Sequence, residues 1–256
     1  GIVEKRGVEV LYETAARSLI MDPHGKVCSV GASSPDGLMQ IDAGSIILAC
    51  GGFQANPAWR RQYLGENWDL VKLRGTRYDT GDGIKMAVDV GAQLAGHWGG
   101  CHASMVSEDS PMIEAATAGS ERYSYPYGIM VNREGERFVD EGEDLQVFTY
   151  AKFGKELAKQ PGGVGFQIFD GKVIPILRSN YQNVEKVESD SLEGLAEELD
   201  IPVEKFLETV KTYNEAIIND DQPFLMHLLD GRRTRGLNPD KTNWAQKIDR
   251  PPYQAY

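Results

Sequence analysis

Two glycine turns, each beside a segment expected to be regular, constrain the fold of this chain most. The apolar run Ile46-Ile47-Leu48-Ala49-Cys50 leads directly into Gly51-Gly52-Phe53, and a second turn, Thr80-Gly81-Asp82-Gly83, precedes a segment with helical spacing of apolar residues. In open α/β sheets ligands bind at the carboxyl ends of strands, where glycine lets the backbone approach them closely. The pair of turns therefore predicts part of an α/β ligand-binding domain.

Alternating apolar and polar residues predict a three-stranded meander ahead of the first glycine turn. We expect its strands at residues 8–13, 26–32 and 38–43, with turns at 22–25 and 34–37. The apolar run 46–50 is typical of a buried strand in a parallel sheet, and Asp82 is the expected N-cap of the helix that packs on it.

The character of the sequence changes after about residue 100, where glycine, tyrosine and short strands dominate. Residues 164–169 are expected to form a strand. Two amphipathic helices follow, one starting near Asp190-Ser191 and one near Asp200, with Pro202 in the first turn of the second. The polar run 230–249 predicts a surface loop. This half of the chain is expected to be a second domain of α+β type.

The net charge of the protein limits the kinds of partner that it can be expected to bind. A formal charge of -11 argues against a nucleic-acid partner, because phosphate binding relies on clustered Lys and Arg. An anionic small molecule would need a local cationic pocket set against this overall field. His102, Arg122 and Arg137 are the candidates for such a pocket.

The cysteines, and the lack of long apolar runs, indicate an ordinary globular protein. The cysteine count is odd and no Cys-x-x-Cys occurs, so reduced thiols are expected, with Cys28 and Cys50 in the core. His and Cys never reach the spacing of zinc ligands, so no metal is expected. No apolar run approaches the roughly 20 residues of a membrane span, and we expect a cytoplasmic location.

Read together, the two glycine turns resemble those of the flavoprotein family of fumarate reductases, succinate dehydrogenases and 3-ketosteroid dehydrogenases. The segment 125–141, YPYGIMVNREGERFVDE, resembles the capping-domain signature of that family. The runs 96–103, GHWGGCHA, and 148–152, FTYAK, are most similar to the FAD-dependent tricarballylate dehydrogenases within it.

The resemblance implies a domain layout. Residues 1–102 would belong to a Rossmann-like FAD-binding domain, 103–250 to an α+β capping domain that holds substrate, and 251–256 to the start of the return to the FAD domain. The Gly-x-Gly-x-x-Gly turn with which family members begin does not occur in the sequence. On this resemblance the chain is an internal piece of a longer enzyme.

The resemblance also implies an activity and a cofactor. We expect FAD to accept a hydride from a C–C single bond of a small polycarboxylate, as in the oxidation of tricarballylate to cis-aconitate, and a membrane-linked protein to receive the electrons. By the same resemblance Ala16, Gly51, Gly52 and Asp82 contact the cofactor. Core packing for Ala16 and helix capping for Asp82 are the structural alternatives.

The residues for substrate chemistry follow from the same likeness. His102 corresponds to a substrate-binding histidine, and Arg122 offers a planar fork that suits a carboxylate. The proton-transferring arginine of the fumarate reductases corresponds to Leu145, so that pathway is not carried over. Tyr123 and Tyr150 are the leading candidates for proton transfer. The other candidates are Tyr125, Tyr127, Glu141, Asp144 and Lys152.

Two other functions remain open from the sequence. The chain could belong to another member of the family, such as a fumarate reductase or a steroid dehydrogenase. It could also be a binding module without catalysis, which the missing phosphate-binding turn would explain equally well.

Overall fold

The computed structural model describes residues 1–115, 120–182 and 184–256. After a short helix, α1 (Ile2–Lys5), the chain forms the antiparallel meander of β1 (Ala15–Met21), β2 (Val27–Ser34) and β3 (Gly37–Asp42). The predicted meander is confirmed, but its first strand lies further along the chain than residues 8–13. The turn at 22–25 is tight, closed by Asp22 N donating to Lys26 O at 2.9 Å, so the strand that pairs with β2 must directly precede it.

The buried parallel strand expected at 46–50 is not formed. Ile47 is 89% exposed, and Cys50 is exposed although we expected it in the core. All strand pairs among the described residues are antiparallel, and none involves this segment. A strand depends on ladder partners for its backbone groups, and without them this run stays irregular.

Two helices frame the second glycine turn. α2 (Pro57–Leu64) begins at Asn56, whose side chain accepts from Trp59 N at 3.1 Å. α3 (Asp82–Asp89) has Gly81 as its N-cap, in the left-handed region at φ 88°. Asp82 is therefore the first helical residue and not the N-cap that we expected. Its carboxylate accepts from Thr80 Oγ1 at 2.7 Å.

The second half of the chain is built on a four-stranded antiparallel sheet in the order β4-β5-β9-β6. Its strands are β4 (Ile129–Asn132), β5 (Gly165–Phe169), β6 (Val187–Ser189) and β9 (Tyr253–Ala255). The helices of this half are α4 (Gln146–Ala158), α5 (Leu192–Glu198) and α6 (Val203–Ala216). A small ribbon of β7 (Ile217–Ile218) and β8 (Arg233–Thr234) follows α6.

The predicted strand at 164–169 and both predicted helices are confirmed. Ser191 caps α5 by accepting from Gly194 N at 3.0 Å, and Pro202 is the N-cap residue of α6. The apolar stripe of α6 buries Phe206, Val210 and Tyr213 in the core that also holds Ile168. Together with the meander, these elements confirm a mixed α/β fold.

Tyr253–Ala255 belongs to this sheet, because it pairs with both β5 and β6 as strand β9. That residues 251–256 start the return to the FAD domain stays a prediction. One expectation for the residues before them is wrong. The run 230–249 is not a surface loop: Lys241, Trp244 and Ile248 are all buried. Its polar side chains are used internally, for example Asp230, whose carboxylate accepts from Trp244 N at 2.8 Å.

Within the described residues, no helix is both long and apolar enough to cross a membrane.

Candidate active site

The two glycine turns lie side by side in the structure. Gly81 N donates to Gly52 O at 2.9 Å, and Ala55 N donates to Asp79 O at 2.8 Å. A side chain at Gly83 would lie 2.7 Å from Cβ of Cys50, so the start of α3 packs closely on the end of the run 46–50. The sequence predicted both turns, and the fold joins them into one wall.

This wall has the properties of a cofactor cradle. Gly51 has φ 70°, and a Cβ there would collide with the Asp79 carboxylate, while a Cβ on Gly52 would lie 2.6 Å from Oε1 of Gln54. Only glycine leaves this backbone open to a ligand. Backbone amides suit the phosphates of a dinucleotide, and the carboxylates of Asp79 and Asp82 can accept from its hydroxyls, so the residues present fit FAD. Asp79 was not predicted from the sequence.

Cavities connect this wall to the second half of the chain. One, of about 280 Å³, extends from Gly52 and Phe53 to His97 and Trp98. A neighbouring one, of about 550 Å³, is bounded by His102 and one side of α4. Both are lined by His97, Gly100 and Cys101. A molecule bound at the glycine turns would thus lie next to a space that His102 borders.

Two of the predicted site residues are in direct contact. His102 Nε2 lies 2.7 Å from the hydroxyl of Tyr150, which is carried on α4. The Tyr123 ring lies 5.2 Å from the Tyr150 ring, and the Tyr123 hydroxyl is 2.6 Å from Ser104 Oγ. The fold therefore brings together three of the four side chains proposed for catalysis.

The other tyrosines weighed for proton transfer are engaged elsewhere. Burial raises the pKa of Tyr125, whose hydroxyl lies 2.7 Å from Thr149 Oγ1. Burial also raises the pKa of Tyr127, whose hydroxyl donates to Met226 O at 2.9 Å. A raised pKa disfavours the phenolate, so neither is suited to act as a base.

The structure adds an arginine that the sequence interpretation missed. Arg178 stacks over the Tyr123 ring, with Cζ 5.6 Å from its centroid, and Nη2 donates to Gln146 Oε1 at 2.7 Å. It is exposed, so its guanidinium can reach a ligand. Gln146 directly follows Leu145, the position that corresponds to the reductase arginine. The only signal in the sequence was that Arg178 is the first arginine after Arg137.

Arg122 lies apart from this cluster. It is 4% exposed, stacks on the Tyr181 ring at 5.3 Å and donates to Asn180 O at 3.3 Å. It lines a different cavity, of about 330 Å³. A role for Arg122 in substrate binding stays a prediction.

Arg137, the other cation proposed for the pocket, is committed to an internal ion pair. Its Nη2 lies 2.6 Å from Oε2 of Glu141, and both side chains are buried. Ala16, expected to contact the cofactor, lies in β1 opposite Ala32 and is exposed, so the alternative of core packing is wrong. Its contact with the cofactor stays a prediction.

The fold and the cradle agree with a comparison of the sequence with known families. The profile of the family described as "FAD binding domain" matches residues 2–248, so the chain belongs to that family. The flavoprotein resemblance and FAD as the cofactor are thereby confirmed.

Three relatives are named as an oxidoreductase, a fumarate reductase and a dehydrogenase. NADH:acrylate oxidoreductase of Vibrio harveyi is 26% identical, over 86% of this chain and 22% of its own. Probable fumarate reductase Ifc3 of Shewanella frigidimarina is 26% identical, over 82% of this chain and 35% of its own. A 3-oxosteroid 1-dehydrogenase of Mycolicibacterium smegmatis is 27% identical, over 83% and 40%. The chain thus spans between a fifth and two fifths of the length of these relatives.

Among solved structures, the open conformation of a flavocytochrome c3 fumarate reductase matches with a TM-score of 0.70 at 20% identity. The match covers 99% of this chain and 41% of the other. At this identity the likeness supports the fold alone.

Proposed function

We propose that this chain is part of a dehydrogenase that oxidises a C–C single bond of a small polycarboxylate. The reaction we favour is the oxidation of tricarballylate to cis-aconitate. The observation that carries the proposal is the hydrogen-bonded pair of His102 and Tyr150. His102 lines the cavity of about 550 Å³, which shares His97, Gly100 and Cys101 with the cavity at the glycine turns.

The cofactor and the protein divide the chemistry. Bound FAD supplies the hydride acceptor. Gly51 and Gly52 hold it through their open backbone, and Asp79 and Asp82 bind its hydroxyl groups. Trp98 stacks on Phe53, with ring centroids 5.6 Å apart, and lines one side of the cavity at the glycine turns.

The second hydrogen leaves the substrate as a proton. The Tyr150 oxygen takes it from the carbon next to the one that loses the hydride, while the Tyr150 hydroxyl proton passes to His102 Nε2. The 2.7 Å separation suits this direct transfer. One C–H bond breaks to a hydride and the neighbouring one to a proton, so a C=C bond forms and charge balances.

Arg178 binds a substrate carboxylate in this proposal. Its stacking on Tyr123 and its bond to Gln146 fix the plane of the guanidinium while leaving the group exposed. A planar guanidinium can bind a carboxylate through two parallel hydrogen bonds. The carboxylate is thereby held close to Tyr150, whose ring contacts Tyr123.

A second candidate comes from the same family. The relatives named above include a fumarate reductase and a 3-oxosteroid dehydrogenase, and the His102 and Tyr150 pair could serve either reaction. The exposed guanidinium of Arg178 favours an anionic substrate over a steroid, since a steroid pocket is largely apolar. It does not separate oxidation of a polycarboxylate from reduction of fumarate.

We also propose where the electrons go. A membrane-linked protein would accept them, and the enzyme would work in the cytoplasm. Reconstitution with isolated membranes tests this: oxygen uptake that depends on substrate is expected with membranes and not without them.

Product analysis tests the activity itself. The FAD-loaded protein is incubated with tricarballylate and an artificial electron acceptor, and the products are separated by chromatography. We expect cis-aconitate in amounts equal to the reduced acceptor. Fumarate reduction by the same protein with a reduced dye, without tricarballylate oxidation, would assign it to the second candidate.

A further inference from the structure

The cavity on the far side of His102 is lined by two lysines and two histidines. It has a volume of about 550 Å³ and is bordered by His97, His102, Lys152 and Lys155. That volume is in the range of small-molecule sites. The residues that line it include two lysines and no carboxylate, so the local composition opposes the net charge of -11 of the chain.

The two lysines of this cavity differ in their partners. Lys152 is bonded to the carboxylate of Glu143. Lys155 forms no ion pair within the part of the chain that the structure describes, and it is half-buried. Ala151 and Lys155, four residues apart on α4, both line the cavity, so this face of the helix is turned toward it.

The positive charge of Lys155 affects the pKa of Cys101, which lines the same cavity. Burial raises the pKa of the Cys101 thiol, and the positive charge of Lys155 partly opposes that rise. Lys155 and Cys101 line the same cavity, so the ammonium group can stabilise an anion that is held there. Cys101 in turn is next to His102, so an anion held there would lie next to the proposed reaction centre.

Lys155 and Gln146, the residue that Arg178 contacts, lie on opposite sides of α4. Gln146, the partner of Arg178, and Lys155 are separated by nine residues, which places them about half a turn apart around the helix axis. Tyr150 lies between them along α4, and the His102 ring contacts it edge-on. A carboxylate bound by Lys155 would therefore lie on the His102 side of this pair, in the cavity that His102 and Lys155 both line.

We propose that Lys155, assisted by His97, binds a second carboxylate and makes the site selective for short dicarboxylates and tricarboxylates over monocarboxylates. The inference rests on the proposed function and names the residue that sets its substrate class. Lys155 is a specificity residue and takes no proton in the reaction.

The test uses alkylation of Cys101, which needs no turnover. The FAD-loaded protein is treated with iodoacetamide at increasing concentrations of tricarballylate, or of propionate at equal ionic strength. Peptide mass spectrometry then gives the alkylation rate of each cysteine. We expect tricarballylate to slow the alkylation of Cys101, and propionate to leave it unchanged. Cys50, which is exposed and lies outside this cavity, is the internal reference and should not respond to either acid.

Variants assign the effect to one charge. Lys155→Gln should raise the concentration for half-protection by about 10- to 100-fold, the range for one charged hydrogen bond, and Lys155→Arg should restore most of it. Lys211→Gln, on the exposed surface, is the matched control and should behave as the wild type. Thermal unfolding checks that each variant is folded.

The outcomes separate this inference from the function on which it rests. Equal protection in the wild type and Lys155→Gln, or no protection by tricarballylate at all, would overturn the role of Lys155. Protection that depends on Lys155, without oxidation of tricarballylate, would retain the carboxylate site and reject the dehydrogenase activity.

Discussion

The Nε2 atom of His102 lies 2.7 Å from the hydroxyl oxygen of Tyr150, although the two residues are 48 positions apart in the chain. His102 belongs to a glycine-rich passage and Tyr150 to α4, so their contact depends on how the two halves of the chain meet. The close approach of Gly154 to the backbone of Ala103 and Ser104 brings α4 against this passage.

Tyr150→Phe should remove proton transfer while leaving substrate binding in place. We expect kcat for polycarboxylate oxidation to fall by about 10²- to 10⁴-fold, with a KM within a few-fold of wild type. Tyr123→Phe is the matched control, because its hydroxyl is bonded to Ser104 and not to His102. A kcat unaffected by Tyr150→Phe would remove this residue from the mechanism.

Arg178→Met should weaken substrate binding by about 1.5 to 3 kcal/mol, the usual loss for a hydrogen bond to a charged group, and appear mainly in KM. Arg178→Lys should recover part of the loss, since it keeps the charge but not the planar fork. Arg122→Met should act differently, lowering the melting temperature, because that side chain is buried against Tyr181. A raised KM in Arg122→Met, with a KM near that of the wild type in Arg178→Met, would instead identify Arg122 as the carboxylate ligand.

Gly51→Ala should weaken FAD binding more than tenfold. The substitution strains a backbone at φ 70° and places a methyl group against Asp79, where the cofactor edge is expected. Gly91→Ala is the control, since Gly91 has φ 93° but no atom within 4 Å of the added Cβ. Flavin absorbance and quenching of tryptophan fluorescence measure the affinity. Equal losses in both variants would indicate backbone strain alone.

Breaking the Arg137 and Glu141 pair should be among the most destabilising single changes. Glu141 also accepts from Met130 N at 2.7 Å, so Glu141→Ala leaves a buried guanidinium and a buried amide without their partner. We expect a loss of about 3 to 5 kcal/mol in the free energy of unfolding, measured by urea denaturation. A loss near that of an exposed pair such as Lys85 and Asp89 would contradict this interpretation.

Lys241 should make the stability depend on alkaline pH. Burial lowers its pKa from 10.5 to about 8, while its ammonium group donates to Gly128 O. Because the folded state releases this proton more readily than the unfolded state, the free energy of unfolding should rise as pH increases from about 8 to 10.5. Lys241→Met should reduce this rise, and the exposed Lys211→Met should retain it. An unchanged slope in Lys241→Met would rule out a titration of Lys241.

Much of the fold could be predicted because it follows from local patterns. The cap of α5 at Ser191, the stripe of α6 and strand β5 are each set by nearby residues. The irregular structure of the run 46–50 could not be predicted, because an apolar run forms a strand only where neighbouring strands pair with it. The surface loop predicted for residues 230–249 was also wrong, since their polar groups form hydrogen bonds within the chain. For example, the Asp140 carboxylate accepts from both N and Oγ1 of Thr242.

The candidate site was predicted in part for a similar reason. The two glycine turns indicated a ligand-binding region, and the resemblance to the flavoprotein family pointed to Gly51, Gly52, Asp82 and His102. Arg178 and Lys155 had no such signal, because Arg178 reaches Tyr123 from a segment 55 residues further along. Charge alone does not separate Arg137, which is neutralised internally, from Arg178, which is exposed. Only the three-dimensional arrangement makes that distinction.

The most direct test of the proposed function is reduction of bound flavin in the absence of oxygen. The FAD-loaded protein is mixed in separate experiments with tricarballylate, succinate and a 3-ketosteroid, and the flavin absorbance band is followed. We predict rapid loss of the band with tricarballylate, and a loss at least 100-fold slower in Tyr150→Phe. A band that tricarballylate leaves unchanged while succinate or the steroid removes it would contradict the assignment of the substrate.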